Sequence, residues 1–138
     1  MLKIMFLCTG NSCRSQMAEG IANTIGKGKI KAYSAGLNPA GFVHPKAIEV
    51  MKEIGIDISH YTSKPIDETL LQKMDYIITL CGDAEETCPM TPPSIKRVHW
   101  GLPDPAKAKG TEEEILNVFR MVRDEIKKNI EKMIDDRQ

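Results

Sequence analysis

The chain carries no excess of charge, because 19 lysine and arginine residues balance 19 aspartate and glutamate residues in a length of 138. A surface without a dominant sign offers no long-range attraction for nucleic acid or for an anionic membrane. The sequence also contains no apolar run that approaches the ~18 residues needed to span a bilayer, and no secretory signal precedes its first apolar segment. We therefore expect a cytoplasmic protein that binds neither nucleic acid nor membrane.

Repeats, linkers and low-complexity segments are also absent, and 41% of the residues are hydrophobic, which is enough for one core. We expect a single domain over residues 1–138, and a monomer. Cysteine is scarce and occurs only at Cys8, Cys13, Cys81 and Cys88. In a cytosolic chain such residues serve catalysis or metal binding more often than structural disulfides. Their spacings, C-x4-C and C-x6-C, match structural zinc sites poorly, so we expect no metal centre.

The stretch from Cys8 to Ser15 reads Cys-Thr-Gly-Asn-Ser-Cys-Arg-Ser. It follows an apolar run at 2–7 that predicts a buried strand, and it precedes an amphipathic segment that predicts a helix with Gly26 as its stop. A tight loop between a strand and a helix directs its backbone N–H groups into one concavity at the positive end of the helix dipole. This arrangement predicts a binding site for a tetrahedral oxyanion, formed by Thr9, Gly10, Asn11, Ser12, Cys13 and Arg14.

The residue types in this loop indicate nucleophilic chemistry. Arg14 opposes the dipole of the helix that it begins, so it needs an anion nearby, and its guanidinium can hold two oxygens of that anion. The same field favours the thiolate form of Cys8, and Ser15 is placed to donate its hydroxyl to that sulfur. A buried cysteine followed by an ordinary turn is the alternative, but it gives no reason for Cys, Arg and Ser to share this register. We predict that Cys8 is a nucleophile, whereas Cys13 packs in the wall of the loop.

Three more segments, at 30–35, 76–80 and 96–100, predict strands, and helical patterns separate them. Alternating strands and helices predict an α/β fold with a four-stranded parallel sheet in the order 2-1-3-4 and helices on both faces. Chemistry in such sheets collects beyond the carboxyl ends of the strands. Because Cys81 and Asp104 follow two of these strands, we expect both to lie at the same edge as Cys8, with Cys81 within its reach.

The pattern C-x5-R-S directly after the first strand resembles the phosphate loop of low-molecular-weight protein tyrosine phosphatases. The longer string from Cys8 to Gly20, CTGNSCRSQMAEG, is more similar to the thioredoxin-coupled arsenate reductases, which share that fold. In both families an Asp-Pro at the place of Asp104 donates a proton to the leaving oxygen, although Asp-Pro also occurs as a simple turn former. The phosphatases follow it with aromatic residues, whereas Ala106 follows here, which argues against an aryl phosphate substrate.

The arsenate reductases carry a cysteine pair at the spacing of Cys81 and Cys88, and a second thiol supplies the electrons that a reductase needs. The resemblance implies that Cys8 attacks arsenate while Asp104 protonates the departing hydroxyl. Cys81 then attacks the Cys8 sulfur, and Cys88 attacks Cys81. It further implies that thioredoxin reduces the final disulfide, that no cofactor is bound, and that phosphate or sulfate competes with arsenate. Two alternatives stay open: a phosphatase that hydrolyses phosphate monoesters through a phosphocysteine at Cys8, and a non-catalytic oxyanion sensor.

Positions that match Asn11, Glu19 and Ser34 bind a potassium ion in some arsenate reductases, with an aspartate as a further ligand. Lys64 stands at the place of that aspartate here, so we expect its ammonium to replace the metal.

The segment after Cys81 carries acidic residues, Asp83, Glu85 and Glu86, that suit the first turn of a helix. We therefore expect a short helix between Cys81 and Cys88 in the reduced protein.

Overall fold

The computed structural model describes the backbone of residues 1–136, and their side chains except those at positions 83, 85 and 87. The acidic side chains at two of these positions, Asp83 and Glu85, therefore lie outside the described residues. The strands are β1 (Leu2–Cys8), β2 (Ile30–Gly36), β3 (Tyr76–Thr79) and β4 (Lys96–His99). The helices are α1 (Arg14–Ile25), α2 (Pro45–Lys52), α3 (Glu68–Leu71), α4 (Gly82–Thr87) and α5 (Glu112–Asp136), and a 3-10 turn spans Pro105–Lys107.

The strands form one parallel sheet in the order β2-β1-β3-β4. Strand β1 lies in the interior of the sheet, where Cys8 pairs with Gly36 on one side and Leu7 pairs with Thr79 on the other. Its residues from Ile4 to Cys8 are all buried, which means that both faces of this strand are covered. The predicted α/β fold and strand order are confirmed. Among the described helices, none has the length and apolar content that crossing a membrane demands.

The helices begin and end at signals that the sequence carries. Pro45 occupies the first turn of α2, and the Nδ1 atom of His44 accepts the N–H of Lys46 as a cap. Before α5, the side chains of Thr111 and Glu114 each accept the backbone N–H of the other, at 3.2 Å in both directions.

Gly26 ends α1, but not in the left-handed conformation that usually selects glycine at such a position. Its φ is −97°, and its N–H bonds to the carbonyl of Ala22. A Cβ atom at Gly26 would lie 2.6 Å from that carbonyl oxygen and 2.9 Å from the Cβ of Ile30. Lack of space, rather than a positive φ, therefore requires glycine here.

A charged cluster joins α5 to the end of α2. The Nη1 atom of Arg123 donates to the carbonyl of Val50 and to Glu53, at 2.8 Å in each case. Arg120 donates to the same carboxylate through Nε and Nη2, at 3.0 and 2.8 Å. Hydrogen bonds from Arg120, reinforced by those from Arg123, lower the pKa of Glu53 to about 2.

Candidate active site

The loop between β1 and α1 turns its carbonyl groups outwards. Backbone N–H groups of the segment 37–44, which runs behind the loop, donate to the carbonyls of Cys8, Thr9, Gly10 and Ser12 at 2.9–3.2 Å. Because the carbonyls are occupied from outside, the N–H groups between them face the interior of the loop. A ring of converging N–H groups next to the start of α1 is the arrangement that binds tetrahedral oxyanions.

The backbone conformation and the side-chain hydrogen bonds of Asn11 fix the shape of this loop. Its φ of 47° is the one positive value among the described residues other than glycine, and asparagine tolerates that conformation. Its Oδ1 atom accepts the N–H of Lys64 at 2.9 Å and the Nε2 group of Gln16 at 3.0 Å. These contacts orient the Asn11 amide, so that its Nδ2 group donates to the Oγ atom of Ser15 at 2.7 Å.

Ser15 in turn contacts the predicted nucleophile. Its Oγ atom lies 2.9 Å from the Sγ atom of Cys8, which is 3% exposed. Because the Ser15 oxygen already accepts a hydrogen bond from Asn11, its own hydroxyl proton is free to be donated to the sulfur. A hydroxyl donor in this position would stabilise a negative charge on the Cys8 sulfur.

Gly36 makes room for the loop, a role that was not predicted from the sequence. A Cβ atom at Gly36 would lie 2.7 Å from the carbonyl oxygen of Thr9 and 2.9 Å from the backbone nitrogen of Asn11. Real Cβ contacts are essentially never so short, so a side chain here would displace the loop. The available signal was the position of Gly36 at the end of the second predicted strand, beside the end of the first.

Arg14 is held at the side of the concavity and is 7% exposed. Its Nη1 atom donates to the carbonyl of Leu102 at 2.9 Å and, more weakly, to that of Leu80 at 3.4 Å. Its Nη2 atom lies 3.8 Å from the Oδ2 atom of Asp104. These contacts fix the plane of the guanidinium, and within the described part of the chain no hydrogen-bond partner occupies its Nε atom. The Nε edge is therefore available to an anion.

Asp104 begins the 3-10 turn, where its Oδ1 atom accepts the N–H of Ala106 at 3.0 Å and its carbonyl accepts the N–H of Lys107 at 3.1 Å. The following residue, Pro105, is buried and anchors the turn. The Asp104 side chain is 30% exposed, and its second oxygen, Oδ2, is the one that lies near Arg14.

A cavity of about 380 Å³ joins these groups. It contains Cys8, Arg14, Cys81 and Asp104, which lie at or beyond the carboxyl ends of three different strands. A larger cavity of about 650 Å³ lies between the edge of the sheet and α5 and contains none of the predicted site residues. The other residues that line the smaller cavity are Thr9, Gly10, Ser12, Cys13, Gly82, Ala106 and Lys107.

Over residues 3–137 the sequence matches a family model described as low molecular weight phosphotyrosine protein phosphatase. The chain belongs to this family. An arsenate reductase from Halalkalibacterium halodurans is 59% identical over 127 residues, which are 92% of this chain and 91% of that protein. A solved structure of an arsenate reductase in the phosphate binding state is 43% identical with a TM-score of 0.80, covering 99% of this chain and 98% of that one. A thioredoxin-dependent arsenate reductase from Corynebacterium glutamicum is 29% identical with a TM-score of 0.71, covering 96% of this chain and 63% of that one.

The predicted family is thereby confirmed. Two cysteines of this chain lie at opposite ends of α4. Cys81 is the N-cap, and its Sγ atom accepts the N–H of Ala84 at 3.4 Å and lies 3.2 Å from the Oγ1 atom of Thr9. Cys88 is the C-cap, is 9% exposed, and is not among the residues that line the cavity. The predicted helix between them is present, and all four cysteines of the chain are reduced.

The fourth cysteine of this family member, Cys13, is the N-cap residue of α1 and is 3% exposed. Burial raises the pKa of its thiol to about 12, although a hydrogen bond with Ser12 works in the other direction. Cys13 is therefore a neutral thiol at physiological pH. Its place in the wall of the cavity agrees with packing rather than with a second nucleophile.

Lys64 lies behind the oxyanion loop. Its Nζ atom donates to the carbonyl of Thr62 at 2.9 Å and to the Oγ atom of Ser34 at 3.3 Å, and it lies 3.7 Å from the Oε1 atom of Glu19. The Ser34 hydroxyl also donates to Glu19 at 2.5 Å. Within the described residues, no group of three or more histidine, cysteine, aspartate or glutamate side chains is arranged to hold a metal ion.

Proposed function

We propose that this protein reduces arsenate to arsenite through a relay of three cysteines and that thioredoxin restores the relay. The observation that carries the proposal is the shared cavity of Cys8 and Cys81, since a second thiol beside the nucleophile has no use in ester hydrolysis. The similarity to the arsenate reductase from Halalkalibacterium halodurans supports the substrate, and the similarity to the thioredoxin-dependent enzyme from Corynebacterium glutamicum supports the reductant.

The first step is nucleophilic. The loop N–H groups and the Nε edge of Arg14 hold the oxygens of arsenate, and the Cys8 thiolate attacks the arsenic atom. Asp104 gives its proton to the departing hydroxyl, which leaves as water. The product is a covalent adduct in which the Cys8 sulfur is bonded to arsenic in its pentavalent state.

The second step moves the electrons. Cys81 attacks the Cys8 sulfur and loses its thiol proton, which forms a disulfide between them and breaks the bond from sulfur to arsenic. The electron pair of that bond stays with arsenic, which leaves as trivalent arsenite. Cys88 then attacks Cys81, so that Cys8 returns as a thiolate and the remaining disulfide joins Cys81 to Cys88.

The third step requires α4 to change. Seven positions along a helix span about 10 Å, whereas the Cα atoms of a disulfide lie within about 7 Å of each other. Cys81 and Cys88 cap the two ends of α4 in the reduced protein, so they cannot bond while the helix is intact. We propose that α4 unwinds, and that the looped segment presents the disulfide to the dithiol of thioredoxin.

Because the relay needs reduced thiols at rest, we place the protein in the cytoplasm. We also propose that it acts as a monomer.

The deciding experiment measures oxidation of thioredoxin by the purified protein, through thioredoxin reductase and NADPH, with and without arsenate. Hydrolysis of a phosphate monoester is measured in parallel, and Cys8→Ser serves as the control. We expect arsenate-dependent NADPH consumption that this variant lacks, because an alcohol is a far weaker nucleophile than a thiolate. Ester hydrolysis without arsenate-dependent oxidation would instead assign the protein as a phosphatase.

The phosphatase is the second candidate, because Cys8, Arg14 and Asp104 are all that such chemistry requires, and they share one cavity. The walls of that cavity argue against it. Ala106 and Lys107 follow Asp104, and no described residue that lines the cavity is aromatic. A cavity without an apolar shelf suits a small inorganic oxyanion better than an aryl ester.

A further inference from the structure

Lys107 lines the cavity of the candidate active site, although neither the motif nor the proposed relay uses it. Its side chain is exposed to solvent, and within the described residues no carboxylate forms an ion pair with its ammonium group. Other lysines near this end of the molecule are engaged, since Lys46 pairs with Glu112 at 2.7 Å and Lys64 lies near Glu19. Among the residues whose side chains the structure describes, no carboxylate therefore neutralises this cation of the cavity wall.

The backbone fixes Lys107 relative to the predicted general acid. The N–H of Lys107 donates to the carbonyl of Asp104 at 3.1 Å, and the N–H of Ala108 donates to that of Pro105 at 3.1 Å. The buried ring of Pro105 ties this turn to the core. The acid and the lysine thus belong to one short, hydrogen-bonded turn, and any shift of that turn moves both groups together.

The charges of the cavity need a second cation. Apart from the cysteines, the ionisable side chains that line it within the described part of the chain are Arg14, Asp104 and Lys107. When Asp104 carries the proton that it is to deliver, Arg14 alone would face a doubly charged oxyanion as well as the Cys8 thiolate. Lys107 raises the cationic charge of the wall to two, which matches the charge of the oxyanion alone.

We propose that Lys107 is a substrate-binding residue that contacts the oxyanion from the wall of the cavity. This inference rests on the proposed function for the identity of the oxyanion and for the charges of Asp104 and Cys8, but any tetrahedral dianion in the cavity would meet the same two cations.

The test measures binding of sulfate and of inorganic phosphate by calorimetry, in a Cys8→Ser background where no chemistry follows binding. Lys107→Gln, Lys107→Arg and Lys109→Gln are compared in that background. Lys109 is exposed, lies two residues further along the same connection and does not line the cavity, so it controls for the general loss of one charge. We expect Lys107→Gln to raise the dissociation constant about three- to fivefold at low ionic strength. Lys107→Arg should retain the dissociation constant of the Cys8→Ser parent, and Lys109→Gln should change it little.

Two further readings test whether the effect is electrostatic and whether it is confined to substrate binding. The effect of Lys107→Gln should shrink in 0.5 M sodium chloride, because salt screens exposed charges. In the protein with Cys8 intact, Lys107→Gln should raise KM for arsenate and leave kcat nearly unchanged, since the acid and the thiols remain in place. Equal effects of Lys107→Gln and Lys109→Gln, or a loss of kcat alone, would overturn the assignment of Lys107. Failure of arsenate-dependent thioredoxin oxidation in the unmodified protein would overturn the proposed function instead, and the sulfate data would still decide the role of Lys107.

Discussion

The Oγ1 atom of Thr9 lies 3.2 Å from the Sγ atom of Cys81, so the oxyanion loop hydrogen-bonds directly to the residue that begins α4. The two residues are 72 positions apart and meet because β1 and β3 are neighbours in the sheet. In the proposed relay this contact holds the second thiol beside the first.

Thr9→Val should therefore slow the release of arsenite and leave the binding of oxyanion nearly unchanged. Valine keeps the shape of threonine and the backbone N–H of the loop, but it removes the hydroxyl that orients Cys81. Loss of one such hydrogen bond is worth about 1 kcal/mol, which corresponds to a decrease in rate of about fivefold. Single-turnover release of arsenite and the affinity for sulfate are the measurements. Thr9→Ser is the control, and an unchanged rate in Thr9→Val would show that this hydroxyl does not position Cys81.

Cys81→Ser and Cys88→Ser should both stop turnover with thioredoxin, but at different stages. Without Cys81 the adduct on Cys8 has no internal attacker, so no arsenite should be released. Without Cys88 about one arsenite per protein should appear in a single turnover, with Cys8 left in a disulfide with Cys81. Quantification of arsenite and intact-mass analysis distinguish these products. Any phosphatase activity should survive both changes, and its loss in Cys88→Ser would assign Cys88 to the fold instead.

Oxidation should unwind α4. Hydrogen exchange of backbone amides over residues 82–92, measured by mass spectrometry, should be faster in the oxidised protein than in the reduced one, because the disulfide is incompatible with the intact helix. Helix α5 provides the internal reference. Equal protection of the segment in both states, with the disulfide verified by mass, would rule out the conformational change.

Replacement of potassium by sodium at equal ionic strength should change activity little. The ammonium of Lys64 already lies near Glu19 and Ser34, so the space behind the oxyanion loop holds a cation that belongs to the protein. Initial rates of arsenate reduction in the two salts are the measurement. A large gain that potassium alone produces would contradict the replacement of a metal by Lys64.

The Glu53 cluster should make stability depend on pH in the acid range. The pKa of Glu53 is lowered to about 2 in the folded protein, so its contribution is present above the ordinary glutamate pKa and is lost as the pH falls towards 2. Because the carboxylate is 35% exposed, solvent screening limits the contribution to about 1 kcal/mol. Glu53→Gln should lower the free energy of unfolding in urea at pH 7, and the difference from the unmodified protein should shrink as the pH falls from about 5 towards 2. Glu49→Gln, on the exposed face of α2, is the matched control, and an equal loss in both variants would assign the effect to net charge.

The sequence predicted those parts of the molecule that depend on local patterns. An apolar run that ends in Cys8 and a helix that begins with Arg14 are sufficient to define a strand, a loop and a helix, and parallel strands align their carboxyl ends. The same logic placed Cys81 and Asp104 at the edge of the sheet where the structure has them.

Features that depend on packing between distant segments were beyond such patterns. Gly36 is required because the loop from Thr9 to Asn11 presses against it, and only the folded backbone reveals that contact. Lys107 shows no motif of its own, and its position in the cavity wall follows from the 3-10 turn that Asp104 begins. The φ of Gly26 could not be predicted either, because a crowded carbonyl and a left-handed turn both select glycine.

The hydrogen bond from the Ala84 N–H to the Cys81 sulfur gives the relay an order of events. In the resting protein this sulfur caps α4, and a helix of six residues depends strongly on its caps. Once Cys81 has bonded to Cys8, its sulfur is drawn towards the loop and the cap is lost. Formation of the disulfide between Cys8 and Cys81 would thus weaken the helix that kept Cys88 away from Cys81, and this disulfide is the bond that Cys88 attacks in the proposed relay. In the proposed relay the third thiol would thus be released only after arsenite has left, which would avoid a premature disulfide between Cys81 and Cys88.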